Sequence, residues 1–121
     1  MRRISRRMDI LNVLFALTSI ALGCFGWLAP RYTLSALNLT THTDTMGPSE
    51  IRASAGCLFV GMGLGALQIG TSEAYAMLGF CWCGAAAGRL TSLLRDGKTN
   101  RKWVFFAVEA GVGLPALLLN L

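Results

Sequence analysis

Long apolar runs separated by short polar connections dominate the pattern of this chain. Four of these runs approach or exceed the roughly 20 residues that a helix needs to cross a bilayer. They cover about residues 10–29, 49–70, 73–95 and 102–120. We therefore expect an all-α integral membrane protein with four transmembrane helices in an up-down bundle, forming a single domain over residues 1–121.

Local signals mark the ends of the predicted helices. Pro30 ends the first helix, because proline lacks the backbone N–H and clashes with the preceding turn. Thr71 supplies an N-cap for the third helix, and Gly97 is placed to cap its C-terminus. The longest connection, 31–47, contains one tyrosine and three leucines, which indicate a short segment lying on the membrane surface.

The composition supports a membrane protein and excludes several soluble classes. The chain is 54% hydrophobic and 14% charged, whereas a soluble domain carries about 25% charged residues. The net charge of +5 comes largely from residues 2–7 and 89–102. These charges flank apolar runs, where positive residues are normal in membrane proteins, so we predict no nucleic-acid binding.

The sequence contains no recognisable catalytic or metal-binding motif. The four cysteines lie in apolar runs, and Cys81 and Cys83 would point about 200° apart on a helix. The single histidine, His42, lies in a polar loop, where we expect it to be solvated. Catalytic triads, phosphate-binding loops and CxxC pairs are all missing, so we predict neither an enzyme nor a metal site.

Two arrangements of the spans remain open. The N-terminal arginines, Arg2, Arg3, Arg6 and Arg7, argue for a cytoplasmic N-terminus. With four spans, however, the basic turn 95–102 falls on the opposite side of the membrane. The alternative is three true spans, and we favour four with the N-terminus inside.

Two glycine pairs have the GxxxG spacing that lets helix backbones approach closely in lipid. They are Gly61 with Gly65 and Gly84 with Gly88. Packing within the monomer is our first interpretation of these pairs, and a dimerisation face is the alternative.

Charged residues inside the apolar runs predict a polar site. Arg89 and Glu109 each lie about ten residues from the middle of the turn between them, on the order of 15 Å along a helix. We therefore expect a cation and an anion to meet at matching depth. This pair would belong to a buried polar network that also contains Glu50, Arg52, Ser92 and Asp96. One interpretation is structural, and the sharper one is a proton or small-anion site in which Glu109 titrates.

These charged positions also carry a resemblance. The motifs are Glu50-Ile51-Arg52 before a glycine-rich helix, Gly88-Arg89-x-x-Ser92-x-x-x-Asp96-Gly97, and Glu109. Over about residues 10–121 the chain resembles the domain of unknown function 4345 family of small bacterial four-helix membrane proteins. The resemblance implies four helices and an inner-membrane location, and it implies no activity.

We expect a small accessory or structural subunit of a larger bacterial inner-membrane complex. An energy-transducing assembly, photosynthetic or respiratory, is favoured because small subunits commonly occur there. The subunit would act by helix packing and by contacts with lipid or pigment. Its expected partners are other membrane subunits and lipids, and a homo-oligomer is left open. No cofactor is predicted, although contact with lipid, quinone or pigment is left open.

The alternative function is a small proton- or ion-linked transporter. It would be centred on the pair of Arg89 and Glu109, with the arginine as counter-charge.

Overall fold

The computed structural model describes residues 6–42 and 45–121, which form helices joined by loops. Two of the four N-terminal arginines, Arg2 and Arg3, therefore lie outside the described residues. The first helix begins at Arg6. In chain order the helical elements are α1 (Arg6–Leu28), α2 (Pro30–Ala36), α3 (Met46–Glu50), a π-helical segment (Ile51–Cys57), α4 (Leu58–Ile69), α5 (Ser72–Arg95) and α6 (Asn100–Asn120).

Four helices in the described chain are long and apolar enough to cross a membrane. They are Asp9–Leu28, Met46–Ile69, Ser72–Arg95 and Asn100–Asn120. The second of these spans is made of α3, the π-helical segment and α4 without a break. The prediction of an all-α protein with four membrane-length helices is confirmed. Only 22% to 28% of each span is buried, so most of its apolar surface is available to lipid.

The chain divides into two compact units, and the first contains α5 and α6. It comprises the residues up to Phe15 together with Ile69–Leu121. Gly79 of α5 and Gly113 of α6 lie against the backbone of the opposite helix, which brings the two helices close together. The buried apolar side chains of this unit are Tyr75, Ala76, Leu78, Trp82, Ala86, Leu93, Val112 and Ala116.

Side-chain caps and a left-handed glycine mark both ends of α5 and the start of α6. The hydroxyl oxygen of Thr71 accepts a hydrogen bond from the backbone N–H of Ala74 at the start of α5. Gly97 follows α5 with φ +96°, a conformation that glycine adopts without strain. Thr99 caps α6 by accepting from the N–H of Lys102. The predicted caps at both ends of α5 are confirmed, whereas α6 begins two residues earlier than predicted because of Thr99.

The second unit, Ala16–Gln68, packs the later part of α1 against the π-containing span. Glycines occupy the contact from both sides, with Gly23 on α1 and Gly56 and Gly63 on the span. A hydrogen bond from the hydroxyl of Ser19 to the carbonyl oxygen of Phe59 (2.9 Å) accompanies this close packing. Ser19 is fully buried, so this bond satisfies a hydroxyl that would otherwise be costly in an apolar interior.

The predicted segment between the first two spans is the short helix α2. Pro30 occupies its first turn, where the missing N–H costs nothing. Asn38 ends it with φ 58°, and the N–H of Leu39 donates back to the carbonyl oxygen of Leu34 (2.8 Å). His42 lies in the following loop and is exposed, as expected.

Candidate functional site

The candidate site is the ion pair between Arg89 of α5 and Glu109 of α6. The Nε atom of Arg89 donates to Oε1 of Glu109 and its Nη2 atom donates to Oε2, each over 3.1 Å. The side chains are 30% and 13% exposed, respectively. The ring of Phe105 lies beside the guanidinium group, with 5.3 Å between the ring centre and the central carbon. The pair predicted from the hairpin register is therefore present, with two parallel hydrogen bonds.

This geometry fixes the two helices against each other. The Nε and Nη2 edge of the guanidinium group holds both carboxylate oxygens, and this bidentate geometry favours one register of α5 against α6. The face of Phe105 adds a favourable cation–π contact. Both carboxylate oxygens of Glu109 accept from Arg89, so the two side chains bind each other through two hydrogen bonds across the hairpin.

The other four residues of the predicted polar network are divided between the two units, with Ser92 and Asp96 in the first and Glu50 and Arg52 in the second. In the described part of the first unit, neither Ser92 nor the carboxylate of Asp96 hydrogen-bonds to the ion pair. Glu50 and Arg52 belong to the second unit, where both are exposed. Nη1 of Arg52 donates to the backbone carbonyl oxygen of Trp27.

The two GxxxG pairs lie beside open space in the described part of the chain. A Cβ atom built on Gly61, Gly65, Gly84 or Gly88 would meet no described atom within 4 Å outside its own stretch of helix. None of the four glycines makes a close contact with a neighbouring helix of its own unit, and both interpretations of these pairs stay predictions. The close internal contacts use other glycines because these, and not the GxxxG pairs, face a neighbouring helix.

An amide pair in the first unit was missed by the sequence analysis. Asn12 of α1 and Asn120 of α6 exchange hydrogen bonds between their side-chain amides, over 2.9 Å and 2.7 Å. The Asn120 amide also donates to the carbonyl oxygen of Ala116 (2.7 Å). The residues are 1% and 4% exposed. The signal in the sequence is a lone asparagine within each of two apolar runs, where an amide needs a partner.

Replacing one of these asparagines is expected to cost more than replacing both. Asn12→Leu or Asn120→Leu should lower the free energy of unfolding by about 1–2 kcal/mol, since each leaves a buried amide with fewer partners. The double variant should recover part of this loss, with a coupling of about 0.6–1.7 kcal/mol. Reversible denaturation in detergent micelles, followed by circular dichroism, measures all three variants. Additive losses would show that the two amides do not stabilise each other.

The described residues contain no group of three or more side chains suited to holding a metal ion. The four cysteines are free.

Comparison with known proteins gives one family. Residues 8–121 match the family described as Domain of unknown function (DUF4345). No curated protein and no solved structure matches the chain.

Proposed function

The chain belongs to the DUF4345 family, whose description names no activity, and we propose from the geometry of its helices that it is an accessory membrane subunit. In this proposal it resides in the bacterial cytoplasmic membrane and packs its outward-facing glycine pairs against a transmembrane helix of another subunit. The observation that carries the proposal is the open space beside Gly61, Gly65, Gly84 and Gly88.

Outward-facing glycines have a cost that a partner helix would offset. Glycine in a helix interior is less favourable than alanine by about 0.8–1 kcal/mol, and lipid gives nothing in return. Between two helices, by contrast, the absence of a side chain lets the backbones approach and gain dispersion contacts. Around Gly84 and Gly88, the exposed positions of α5 include the small residues Cys81, Ala87 and Thr91. A strip of small residues is therefore open to a neighbour, and the exposed side chains of Met77 and Phe80 continue it toward the start of α5.

No observation supports a photosynthetic or respiratory partner in particular. The proposal is therefore restricted to a helical membrane subunit of unspecified activity. The transporter alternative centres on Glu109, with Arg89 as its counter-charge. The two hydrogen bonds that its carboxylate accepts from Arg89 favour the structural role instead.

Bulky side chains on the glycine strips should release the protein from its partner. Two double variants are made, Gly84→Leu with Gly88→Leu and Gly61→Leu with Gly65→Leu. We expect at least one of them to migrate as the free chain and not in a large complex. Tagged protein is solubilised from native membranes in mild detergent, and its size is read by native electrophoresis with mass spectrometry. Leu118→Phe is the control, because it adds bulk to a side chain that is already 73% exposed on α6, a helix that carries neither GxxxG pair.

Three outcomes are informative. Release by a glycine variant but not by Leu118→Phe supports the proposal and identifies the partner in the wild-type complex. Migration of the wild type only as copies of itself would replace the accessory role with a homo-oligomer. A wild type that migrates alone would overturn the proposal.

A further inference from the structure

The second unit contains an open cavity of about 540 Å³ where α1 ends and the second span begins. Its walls include Trp27, Arg31, Ser49, Arg52, Ala53 and Cys57. We propose that this cavity binds the phosphate headgroup of an anionic phospholipid, held by Arg31 and Arg52. This proposal is independent of the partner helix proposed above.

Charge is the first argument for this ligand. Both guanidinium groups line the cavity, and no carboxylate does so among the described residues. One nitrogen of Arg52 is held by the carbonyl oxygen of Trp27 over 2.6 Å, which orients the rest of the group. A guanidinium group has five N–H donors, so donors of Arg52 remain for a ligand. Planar guanidinium groups match phosphate oxygens in a bidentate manner.

The π-helical segment shapes one wall of the cavity. Arg52 and Cys57 both line it although they are five residues apart. In an α-helix such residues diverge by about 140°. The wider turn of a π-helix, with its i→i+5 hydrogen bonds, brings positions five apart toward the same face. The irregular geometry therefore places a cation and an apolar surface together on one wall.

The depth of the cavity favours a lipid over a soluble phosphate. Trp27 is the second-last residue of the first span, and Arg52 is the seventh residue of the second, about 9 Å along the helix. Tryptophan and arginine at this depth are typical of the headgroup level. On α1, Phe25 and Leu28 are 52% and 66% exposed, so the last turns of this span offer apolar surface to acyl chains.

The test measures lipid binding to the purified full chain in detergent by native mass spectrometry. Phosphatidylglycerol is compared with phosphatidylcholine of the same acyl chains, and inorganic phosphate is added as a third probe. We expect one tightly held phosphatidylglycerol, with affinity reduced roughly fivefold by Arg31→Gln and by Arg52→Gln. Ala53→Phe should likewise weaken binding, because its ring occupies part of the cavity without changing the charge of the walls. Arg95→Gln, which alters an exposed arginine at the end of α5, should bind as the wild type does.

The variants keep the test decisive even if one of them folds poorly. Arg31 and Ala53 are both exposed, so Arg31→Gln and Ala53→Phe should keep the fold. These two variants test the proposal even if Arg52→Gln is misfolded. Equal binding of the two lipids, or wild-type binding by both Arg31→Gln and Ala53→Phe, would overturn the proposal. If inorganic phosphate displaces phosphatidylglycerol, and if the same variants also lose phosphate binding, the cavity binds a soluble anion and not a lipid.

Discussion

Glu109→Leu is expected to lower the free energy of unfolding by about 2–3 kcal/mol. Removing one partner of a buried ion pair typically costs 3–5 kcal/mol, because the other charge remains without compensation. Arg89 is 30% exposed, so solvent reduces this penalty. Reversible denaturation in detergent, followed by circular dichroism, gives the value.

The double variant Arg89→Met/Glu109→Leu is the control for this prediction. Replacing both partners with apolar residues of similar size is often neutral or stabilising, so the double variant should be close to the wild type. A double variant that is no more stable than Glu109→Leu would show that the pair itself does not lock the hairpin.

Glu109→Gln distinguishes the structural role of the ion pair from the transporter alternative. It keeps a hydrogen-bond acceptor for Arg89 and removes the titratable group. Normal assembly without any loss of proton- or ion-dependent transport favours the structural role. Loss of such transport with assembly intact favours the transporter.

Gly79→Ala is expected to destabilise the protein by about 3 kcal/mol, whereas Gly84→Ala on the same helix should stabilise it by about 0.5–1 kcal/mol. A Cβ atom on Gly79 would lie 2.6 Å from the backbone nitrogen of Leu117. The backbone of α6 must then move, and overpacking of this kind costs up to about 3 kcal/mol. A Cβ atom on Gly84 meets nothing within 4 Å, so only the higher helix propensity of alanine remains.

The comparison uses monomeric protein in detergent, so that a partner does not cover Gly84. Denaturation curves of the two variants are measured beside the wild type. Similar stabilities for both would show that α5 does not present Gly79 to α6 and Gly84 to the outside. Gly113→Ala tests the same contact from the opposite helix, since its Cβ atom would lie 2.7 Å from the backbone nitrogen of Cys83.

The sequence was sufficient for features that depend on distance along one hairpin. Arg89 and Glu109 are about equally far from the turn, so helical rise alone places them at the same depth. The ends of α5 could be predicted equally well, because Thr71 and Gly97 act on their immediate neighbours.

Features that depend on how a helix is rotated, or on contacts between distant parts of the chain, could not be predicted from the sequence. The spans are apolar on nearly all sides, so the pattern does not show which glycines face a neighbour. Gly79 and Gly84 therefore look alike in the sequence, although only Gly79 packs against α6. Asn12 and Asn120 are 108 residues apart, and no local signal joins them.

The π-helical segment Ile51–Cys57 has a consequence for how such a chain changes over generations. A π-turn contains one residue more than the α-turn it replaces. Loss of a single codon within the segment would therefore restore a regular helix and leave both ends of the span at nearly the same rotation, because the wider turn already absorbs the extra residue. The wall of the cavity would change its shape while both ends of the span kept their sequence and their faces. Among relatives, a one-residue difference in length at this place would mark which chains have the wide turn in this wall.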